Sequence, residues 1–240
     1  MKIMMKISYM RNIAVILLCW MTMGATAQEK CRWSVGMKAG WNYTSIDRSN
    51  MGRVDETYST LSGGNVGIMA RYKLFDWLAI RAEFELMPRP YKMERNLRYI
   101  DQVYTKYTND YIMLPVMADY SFGGKRLRGH AYGGVYGAVW CRAHVEGTTF
   151  WITDYYVHFN DFKEVRPFNS EDRRLIGGGV GGLGVSYTIP FVNGRRGEAT
   201  FNLDALYYHD FVSHHKGHPN LNDPRYLSTL SITIGFAYGF

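Results

Sequence analysis

Beyond residue 27 the sequence lacks any apolar run of the roughly 20 residues that a membrane-spanning helix needs. Cysteine is scarce, with three in the whole chain, and only Cys31 and Cys141 lie beyond residue 27. We expect these two at opposite ends of their strands, so we predict no disulfide between them. The formal charge of +7 is modest and the basic clusters are short, as at Gly124–Arg126, which argues against a nucleic-acid partner.

The first residues have the three parts of a secretory signal peptide. These are a basic leader with Lys2, Lys6 and Arg11, an apolar core over Ile13–Met23, and the small-x-small exit Ala25-Thr26-Ala27. The core is too short to span a bilayer comfortably, so we favour cleavage over an N-terminal membrane anchor. Cys19 raises the alternative of a lipoprotein anchor, but Leu18 stands where that anchor needs a small residue. We therefore predict a signal peptide over residues 1–27 and one mature domain over residues 28–240.

The mature part is rich in segments where bulky apolar residues occupy every second position. This two-residue period is typical of a β-strand with two chemically different faces. The eight predicted strands are Arg32–Thr44, Gly64–Leu74, Trp77–Leu86, Asp110–Phe122, Leu127–Ala143, Arg174–Ile189, Ala199–His209 and Leu230–Phe240. The fifth and sixth strands are rich in glycine, so the sequence does not show which of their residues face inwards and which face outwards. Pro115 cannot donate a ladder hydrogen bond, so we expect a bulge or local bend in the fourth strand.

The connections between these strands alternate strictly between short and long. The short ones carry turn signals at Phe75-Asp76, Gly123-Gly124-Lys125 and Pro190–Gly194, and the long polar ones are Ser45–Gly63, Arg95–Asn109, His144–Arg173 and Asp210–Tyr226. Outer-membrane barrels have short periplasmic turns and long external loops. The sequence therefore predicts an all-β fold, an eight-stranded antiparallel up-and-down transmembrane β-barrel in the bacterial outer membrane with both termini in the periplasm. A soluble β-sandwich or lipocalin-like barrel is the alternative.

Aromatic residues concentrate at both ends of the predicted strands, where a membrane barrel meets the lipid headgroups. The turn-end set is Trp33, Phe75, Trp77, Tyr120, Phe122, Tyr187, Tyr238 and Phe240. The loop-end set is Trp41, Tyr43, Tyr91, Tyr111, Trp140 and Tyr207. A soluble barrel would gain little from two such belts, so we favour the membrane barrel and expect outer-membrane lipid around it.

The segments Val35–Tyr43 and Tyr111–Val116 carry a family resemblance. The first is similar to the first strand of the PorT-like porin family of Bacteroidetes outer-membrane proteins, and the second is similar to that family's tyrosine–x–x–x–proline strand. The glycine-rich sixth strand and the aromatic-ended eighth strand also fit, so the resemblance covers essentially the whole mature chain. It implies an outer-membrane β-barrel domain. The founding member is tied to type IX secretion and gliding, which implies an accessory role in secretion or surface assembly. The aromatic end at Phe240 is similar to the ends of substrates of the barrel-assembly machinery, which we expect as a partner.

If the apolar faces of the strands point outwards to lipid, the charged side chains at the alternate positions point into the barrel interior. These are Lys38, Arg71, Lys73, Arg81, Glu83, Glu85, Asp119 and Asp204. Eight strands enclose a space just wide enough to be filled by side chains, and buried charges pair because an unpaired one is costly. We therefore predict a filled lumen and an envelope-structural, surface-binding or secretion-accessory role. A narrow pore for small solutes or ions is the alternative.

The long segment His144–Arg173 holds six aromatic residues that suit a binding surface for a surface glycan or protein. They are Phe150, Trp151, Tyr155, Tyr156, Phe159 and Phe162. The alternative is that Thr148–Val157 and its return only extend the hairpin above the membrane.

The last long loop holds the weak candidates for a metal site, which are His209, His214, His215 and His218. No cysteine is nearby, and Asp210 and Asp223 are the only carboxylates that could assist, so a solvated loop is favoured and we predict no metal and no cofactor. A lipid-modifying barrel enzyme is the least favoured alternative. Its nucleophile and base would come from the neighbours Ser213-His214 or from Ser228 with His209 near the outer rim. We predict no enzymatic activity.

Overall fold

In the computed structural model of the chain, the described residues are 32–48, 56–95, 103–153, 156–170, 172–190, 197–214 and 225–240. The predicted signal peptide and Cys31 lie outside them. The chain divides into two units, Met1–Lys30 and Cys31–Phe240, and every described residue belongs to the second. Across the described ranges there is no helix with the length and apolarity that a membrane crossing requires.

Antiparallel strands make up nearly all of the described chain, and eight of them close into a ring. The nine strands are β1 (Trp33–Arg48), β2 (Glu56–Lys73), β3 (Leu78–Arg95), β4 (Tyr104–Gly123), β5 (Leu127–Thr153), β6 (Tyr156–Val165), β7 (Leu175–Pro190), β8 (Glu198–Asp210) and β9 (Arg225–Gly239). The ring runs β1-β2-β3-β4-β5-β7-β8-β9, and β9 pairs back onto β1. This confirms the predicted eight-stranded antiparallel barrel, with the eighth wall strand closing on the first.

The strands are longer at the long-loop end than the sequence predicts. β2 begins at Glu56 instead of Gly64, and β3 continues to Arg95 instead of Leu86. Much of what the sequence indicates as polar loop is therefore barrel wall. The two-residue period of bulky apolar residues stops where the wall leaves its apolar band, whereas the ladder pairing continues, as between β2 and β3 at Glu56 and Arg95.

The outer face of the barrel is apolar and the inner face is polar. Phe84 and Ile234 are 40% and 61% exposed, whereas Glu85 and Thr233 beside them are fully buried. A soluble barrel would have the opposite arrangement, so the exposed apolar band excludes that alternative. Burial also shows which residues of the glycine-rich strands face the lumen. Tyr132 of β5 is buried and faces inwards, whereas Leu183 of β7 is exposed and faces outwards.

The ladder between β3 and β4 is interrupted at Pro115, because the pairing passes from Ala82 with Val116 to Glu85 with Met113. The register is the same on both sides of this gap, so the interruption is not a bulge. The register shifts instead between Asp110 and Tyr111 in the pairing of β4 with β5, which makes Cys141 the extra residue. Cys141 is exposed and free.

Candidate functional sites in the barrel interior

A layer of charged side chains crosses the middle of the lumen. Lys38 Nζ lies 2.6 Å from Glu83 Oε2 and 2.5 Å from Glu85 Oε1. Arg81 Nε lies 2.5 Å from Glu83 Oε1, and its Nη2 lies 2.7 Å from Asp204 Oδ2. All five side chains are buried. Each cation contacts two carboxylates, so the layer is a continuous network of ion pairs across β1, β3 and β8.

The remaining predicted lumen charges form pairs nearer the turn end. Arg71 Nε lies 2.7 Å from Asp119 Oδ2, and Lys73 Nζ lies 2.5 Å from Glu198 Oε1. The structure thus places every predicted lumen charge on the inner face and gives each a partner of opposite sign. Glu198 is the one member of these pairs that the sequence prediction did not include.

A second buried ion pair, toward the loop end, was not predicted from the sequence. Arg89 Nη1 donates to Asp210 Oδ1 at 2.8 Å, and both side chains are fully buried. The same oxygen accepts a hydrogen bond from the Tyr136 hydroxyl. The other carboxylate oxygen lies 2.6 Å from His214 Nε2, and His214 Nδ1 lies 2.9 Å from the Tyr111 hydroxyl. Because a carboxylate only accepts, Nε2 carries a proton, and in the neutral imidazole Nδ1 then accepts from Tyr111. We call these five residues the upper cluster.

A signal for the upper cluster was present in the sequence. Arg89 lies beyond the predicted end of its strand, and Asp210 was placed in a loop. Inward positions are odd-numbered in β3, as at Glu83 and Glu85, and even-numbered in β8, as at Asp204. Extending the same period by a few residues would have placed Arg89 and Asp210 inside the barrel.

Three of the aromatic residues predicted for the loop-end belt face the lumen instead of the lipid. Tyr91, Tyr111 and Trp140 are buried, at 8%, 2% and 4% exposure, so placing them in the belt was wrong. They occupy inward positions and pack within the lumen, where Tyr111 stacks on Trp140 with ring centroids 6.1 Å apart. The remaining loop-end residues, Trp41, Tyr43 and Tyr207, are exposed as predicted, as is the whole turn-end set of eight.

Glycines of β7 leave space for two tyrosines of β5, one of which reaches the charged layer and the other the upper cluster. A Cβ on Gly184 would lie 2.8 Å from the Tyr132 hydroxyl, and one on Gly178 would lie 2.5 Å from the Tyr136 hydroxyl. The Tyr132 hydroxyl donates to Asp204 at 2.8 Å. Glycine at these positions therefore allows each phenol to lie across the neighbouring strand.

The turn-end mouth of the barrel holds a cavity of about 70 Å³. Three neighbouring strands contribute polar residues to its wall, among them Asp119 of β4, His130 of β5 and Ser186 of β7. His130 Nδ1 lies 2.8 Å from Asp119 Oδ1, and His130 Nε2 lies 2.8 Å from Ser186 Oγ. His130 and Ser186 were not predicted from the sequence, because their glycine-rich strands left the two faces undecided.

The segment predicted as a long aromatic loop is a β-hairpin. β5 continues past the barrel to Thr153, and β6 returns along it, with Phe150 opposite Phe159. The extension of the hairpin is therefore present, and the binding role of its aromatic residues stays a prediction. Phe159 is exposed and Phe150 is half-buried, whereas the side chains of residues 151–157 lie outside the described set.

A salt bridge ties the base of the hairpin to β4. Lys106 Nζ lies 2.7 Å from Glu146 Oε1, and Lys163 of β6 lies 3.4 Å from Glu146 Oε2. The hydrogen bond from Lys106, followed by its positive charge, lowers the pKa of the Glu146 carboxyl.

The histidine candidates do not converge. His209 is on the outer face, where its Nδ1 lies 2.9 Å from Ser228 Oγ, whereas His214 lies inside in the upper cluster. His215 and His218 lie outside the described residues. Within the ranges the structure describes, no three His, Cys, Asp or Glu side chains are grouped to hold a metal ion. Of the two serine–histidine pairs considered from the sequence, Ser228 and His209 lie within hydrogen-bond distance of each other. The two ring nitrogens of His214 lie instead against Asp210 and Tyr111.

Comparisons with known proteins agree with this architecture. A family model described as "Outer membrane protein beta-barrel domain" matches residues 26–211. No curated protein matches the sequence.

Several solved outer-membrane proteins are similar in structure. OprG from Pseudomonas aeruginosa is 13% identical with a TM-score of 0.44, over 88% of this chain and 97% of its own. Neisserial surface protein A is 13% identical with a TM-score of 0.42, over 87% and 97%. The outer membrane protease OmpT from Escherichia coli is 11% identical with a TM-score of 0.41, over 90% and 99%. Since the family model covers well over half of the sequence, the chain belongs to the family of outer membrane protein beta-barrel domains.

Proposed function

We propose that this outer-membrane β-barrel protein is a sealed barrel whose role is to hold a binding hairpin at the cell surface. The observation that carries the proposal is the charged layer in the middle of the lumen. Lys38, Arg81, Glu83, Glu85 and Asp204 are each less than 5% exposed, and their mutual ion pairs link β1, β3 and β8 across the lumen. An ion entering this layer would have to replace contacts that the side chains already make with one another.

The space left inside the barrel also supports a sealed lumen. The cavity at the turn-end mouth is about 70 Å³, and a second one below the hairpin is about 30 Å³. The two share no lining residue. Cavities of this size hold a few waters each, and these two are separate from each other.

A liposome-swelling assay tests the sealed lumen against the pore alternative. Purified protein is inserted into liposomes and diluted into solutions of glycine or arabinose. We expect swelling at the rate of protein-free liposomes. A variant with Arg81, Glu83 and Glu85 replaced by serine is the control, and its folding is checked by heat-modifiable migration on unboiled gels. Swelling of wild-type liposomes that depends on solute size would favour the pore.

The surface role rests on the hairpin formed by β5 and β6. Ten residues of β6 pair with β5 beyond the ring of eight strands, and Phe159 is exposed there. Exposed rings bind sugar faces and apolar protein surfaces. We expect whole cells to capture a surface glycan or protein through this hairpin. Replacing residues 148–161 with a short turn should abolish capture while the barrel still assembles, and unchanged capture would remove the hairpin from the proposal.

The proposal includes the assembly route and the finer family likeness. Residues 1–27 act as a cleaved signal peptide, both termini face the periplasm, and the strand ending at Phe240 is bound by the barrel-assembly machinery. The likeness to PorT-like proteins of Bacteroidetes favours an accessory role in secretion or surface assembly. A pull-down from native membranes without such partners would contradict that role. Deletion of Phe240 should lower the amount of assembled barrel in the outer membrane, as measured in membrane fractions.

A further inference from the structure

We propose that the turn-end mouth of the barrel is a serine hydrolase site for short acyl esters, with Ser186 as nucleophile, His130 as general base and Asp119 as the residue that positions the imidazole. The proposal goes beyond the sealed-barrel function, and it departs from the sequence-based expectation of no enzymatic activity. It rests on the order and geometry of these three side chains, on the cavity that they line, and on the charge around it.

The three side chains have the connectivity of a serine hydrolase triad. His130 Nδ1 lies 2.8 Å from Asp119 Oδ1, and His130 Nε2 lies 2.8 Å from Ser186 Oγ. An ionised carboxylate can only accept, so Nδ1 carries a proton, and in the neutral imidazole Nε2 is left to accept from the serine hydroxyl. This is the tautomer in which an imidazole can take the proton of a nucleophilic serine.

The surrounding contacts fix this arrangement. Arg71 Nε lies 2.7 Å from Asp119 Oδ2, so the carboxylate is held on its other side by a cation. The His130 ring stacks on Tyr132 with centroids 5.8 Å apart and an interplanar angle of 5°. Each of the three side chains also stands on a regular strand of a closed barrel, which is a more rigid support than a loop.

The cavity gives the serine access from the turn end. Ser186 shares its walls with Lys125 and Arg128, which belong to the turn between β4 and β5 or follow it closely. Lys125 is exposed, so the cavity meets the surface at this end of the barrel. Its volume of about 70 Å³ suits a short acyl group such as acetyl beside the serine.

The charge around the mouth indicates which esters would bind. Arg71 and Lys73 are paired with Asp119 and Glu198, but Lys125 and Arg128 add positive charge that no carboxylate among the lining residues balances. Arg128 instead donates to the main-chain oxygens of Gly124 and Asp76. The site should therefore favour acetyl esters whose alcohol portion carries negative charge.

The reaction uses water as its only co-reactant. Ser186 Oγ attacks the ester carbonyl carbon while His130 Nε2 takes its proton. The tetrahedral oxyanion collapses, the bond to the alcohol oxygen breaks, and His130 returns the proton to the leaving alcohol. Water then attacks the acyl-serine with His130 again as base, and the carboxylic acid leaves as Ser186 regains its proton.

The barrel also contains a second serine–histidine pair that provides a matched control. On the outer face, His209 Nδ1 lies 2.9 Å from Ser228 Oγ. Within the described residues this imidazole has no carboxylate contact, and its ring packs on Phe211 with centroids 6.2 Å apart. Ser228→Ala removes the same chemical group as Ser186→Ala but leaves the proposed site intact.

Labelling with a fluorophosphonate probe tests the proposal on the full-length folded protein in detergent. The serine oxygen bonds to phosphorus and fluoride leaves, so only an activated serine is labelled. We expect labelling of wild type and Ser228→Ala, none of Ser186→Ala, and a rate at least tenfold lower for Asp119→Asn. Heat-modifiable migration confirms that each variant is folded. Wild type labelled no more than Ser186→Ala would overturn the proposal.

Hydrolysis of 4-nitrophenyl esters supplies the second readout. The acetate should be cleaved at least tenfold faster than the octanoate by wild type and by Ser228→Ala, with Ser186→Ala at the uncatalysed rate. Equal hydrolysis by wild type and Ser186→Ala would contradict the site. Because these readouts do not depend on solute passage, the hydrolase site and the sealed lumen can fail independently.

Discussion

The two ends of the lumen hold buried charge in different ways. In the charged layer and toward the turn end, each ion has a partner, and two cations are shared between carboxylates, as Lys38 is between Glu83 and Glu85. Toward the loop end, Arg89 has one carboxylate partner, Asp210, enclosed by Tyr111, Tyr136 and other buried aromatic residues. Loss of one partner should therefore be most harmful in the upper cluster, where no second carboxylate among the described residues can substitute.

The largest effect is expected from Asp210→Ala. This change leaves Arg89 buried without its carboxylate, and breaking a buried pair in this way costs about 3–5 kcal/mol. The free energy of unfolding, measured by urea titration of the barrel in detergent, should fall by that amount. The double variant Arg89→Met/Asp210→Leu removes both charges and should recover most of the loss. A single variant as stable as wild type would show that the upper cluster is not a buried pair.

A smaller loss is expected from Glu83→Gln in the charged layer. Lys38 keeps Glu85 and Arg81 keeps Asp204, so the change weakens charged hydrogen bonds without stranding an ion. The same titration should show a loss of about 1.5–3 kcal/mol. A loss as large as that of Asp210→Ala would contradict the sharing of partners in this layer.

The rim pair of Lys73 with Glu198 should contribute least among the lumen pairs. Both side chains are about a quarter exposed, at 23% and 24%, and water screens pairs of this kind. Lys73→Met should lower the free energy of unfolding by about 0–1 kcal/mol, and 1 M salt should remove most of the difference. An effect that is larger and insensitive to salt would mean that the turn-end mouth is drier than its contacts indicate.

The base of the hairpin holds an ion pair that is more exposed than those of the lumen. Lys106 lowers the pKa of the Glu146 carboxyl in the folded state, so this pair stabilises the hairpin base at neutral pH and loses its effect as the pH falls through that lowered pKa. An NMR titration of Glu146 in wild type and Lys106→Met should show a higher pKa in the variant. Identical titration curves would show that the pair does not persist in solution.

The wall of the barrel and its charged layer were predicted well from the sequence, because both follow from one physical pattern. Bulky residues at every second position must face lipid, so residues such as Arg81 and Glu85 between them must face inwards. The prediction was wrong where that pattern was abandoned too early, since Tyr91 and Arg89 continue the period of β3 beyond its apolar part. The Asp119–His130–Ser186 arrangement could not be predicted, because a glycine-rich strand shows no contrast between its faces and the register between strands is not visible in one sequence.

Planar-bilayer recording of the purified wild-type barrel is the most direct test of the central claim that the side chains of the lumen seal it. We predict no steady conductance in 1 M KCl, and discrete open levels when Arg81, Glu83 and Glu85 are all replaced by serine. Steady, reproducible conductance steps from folded wild-type protein would contradict the sealed lumen.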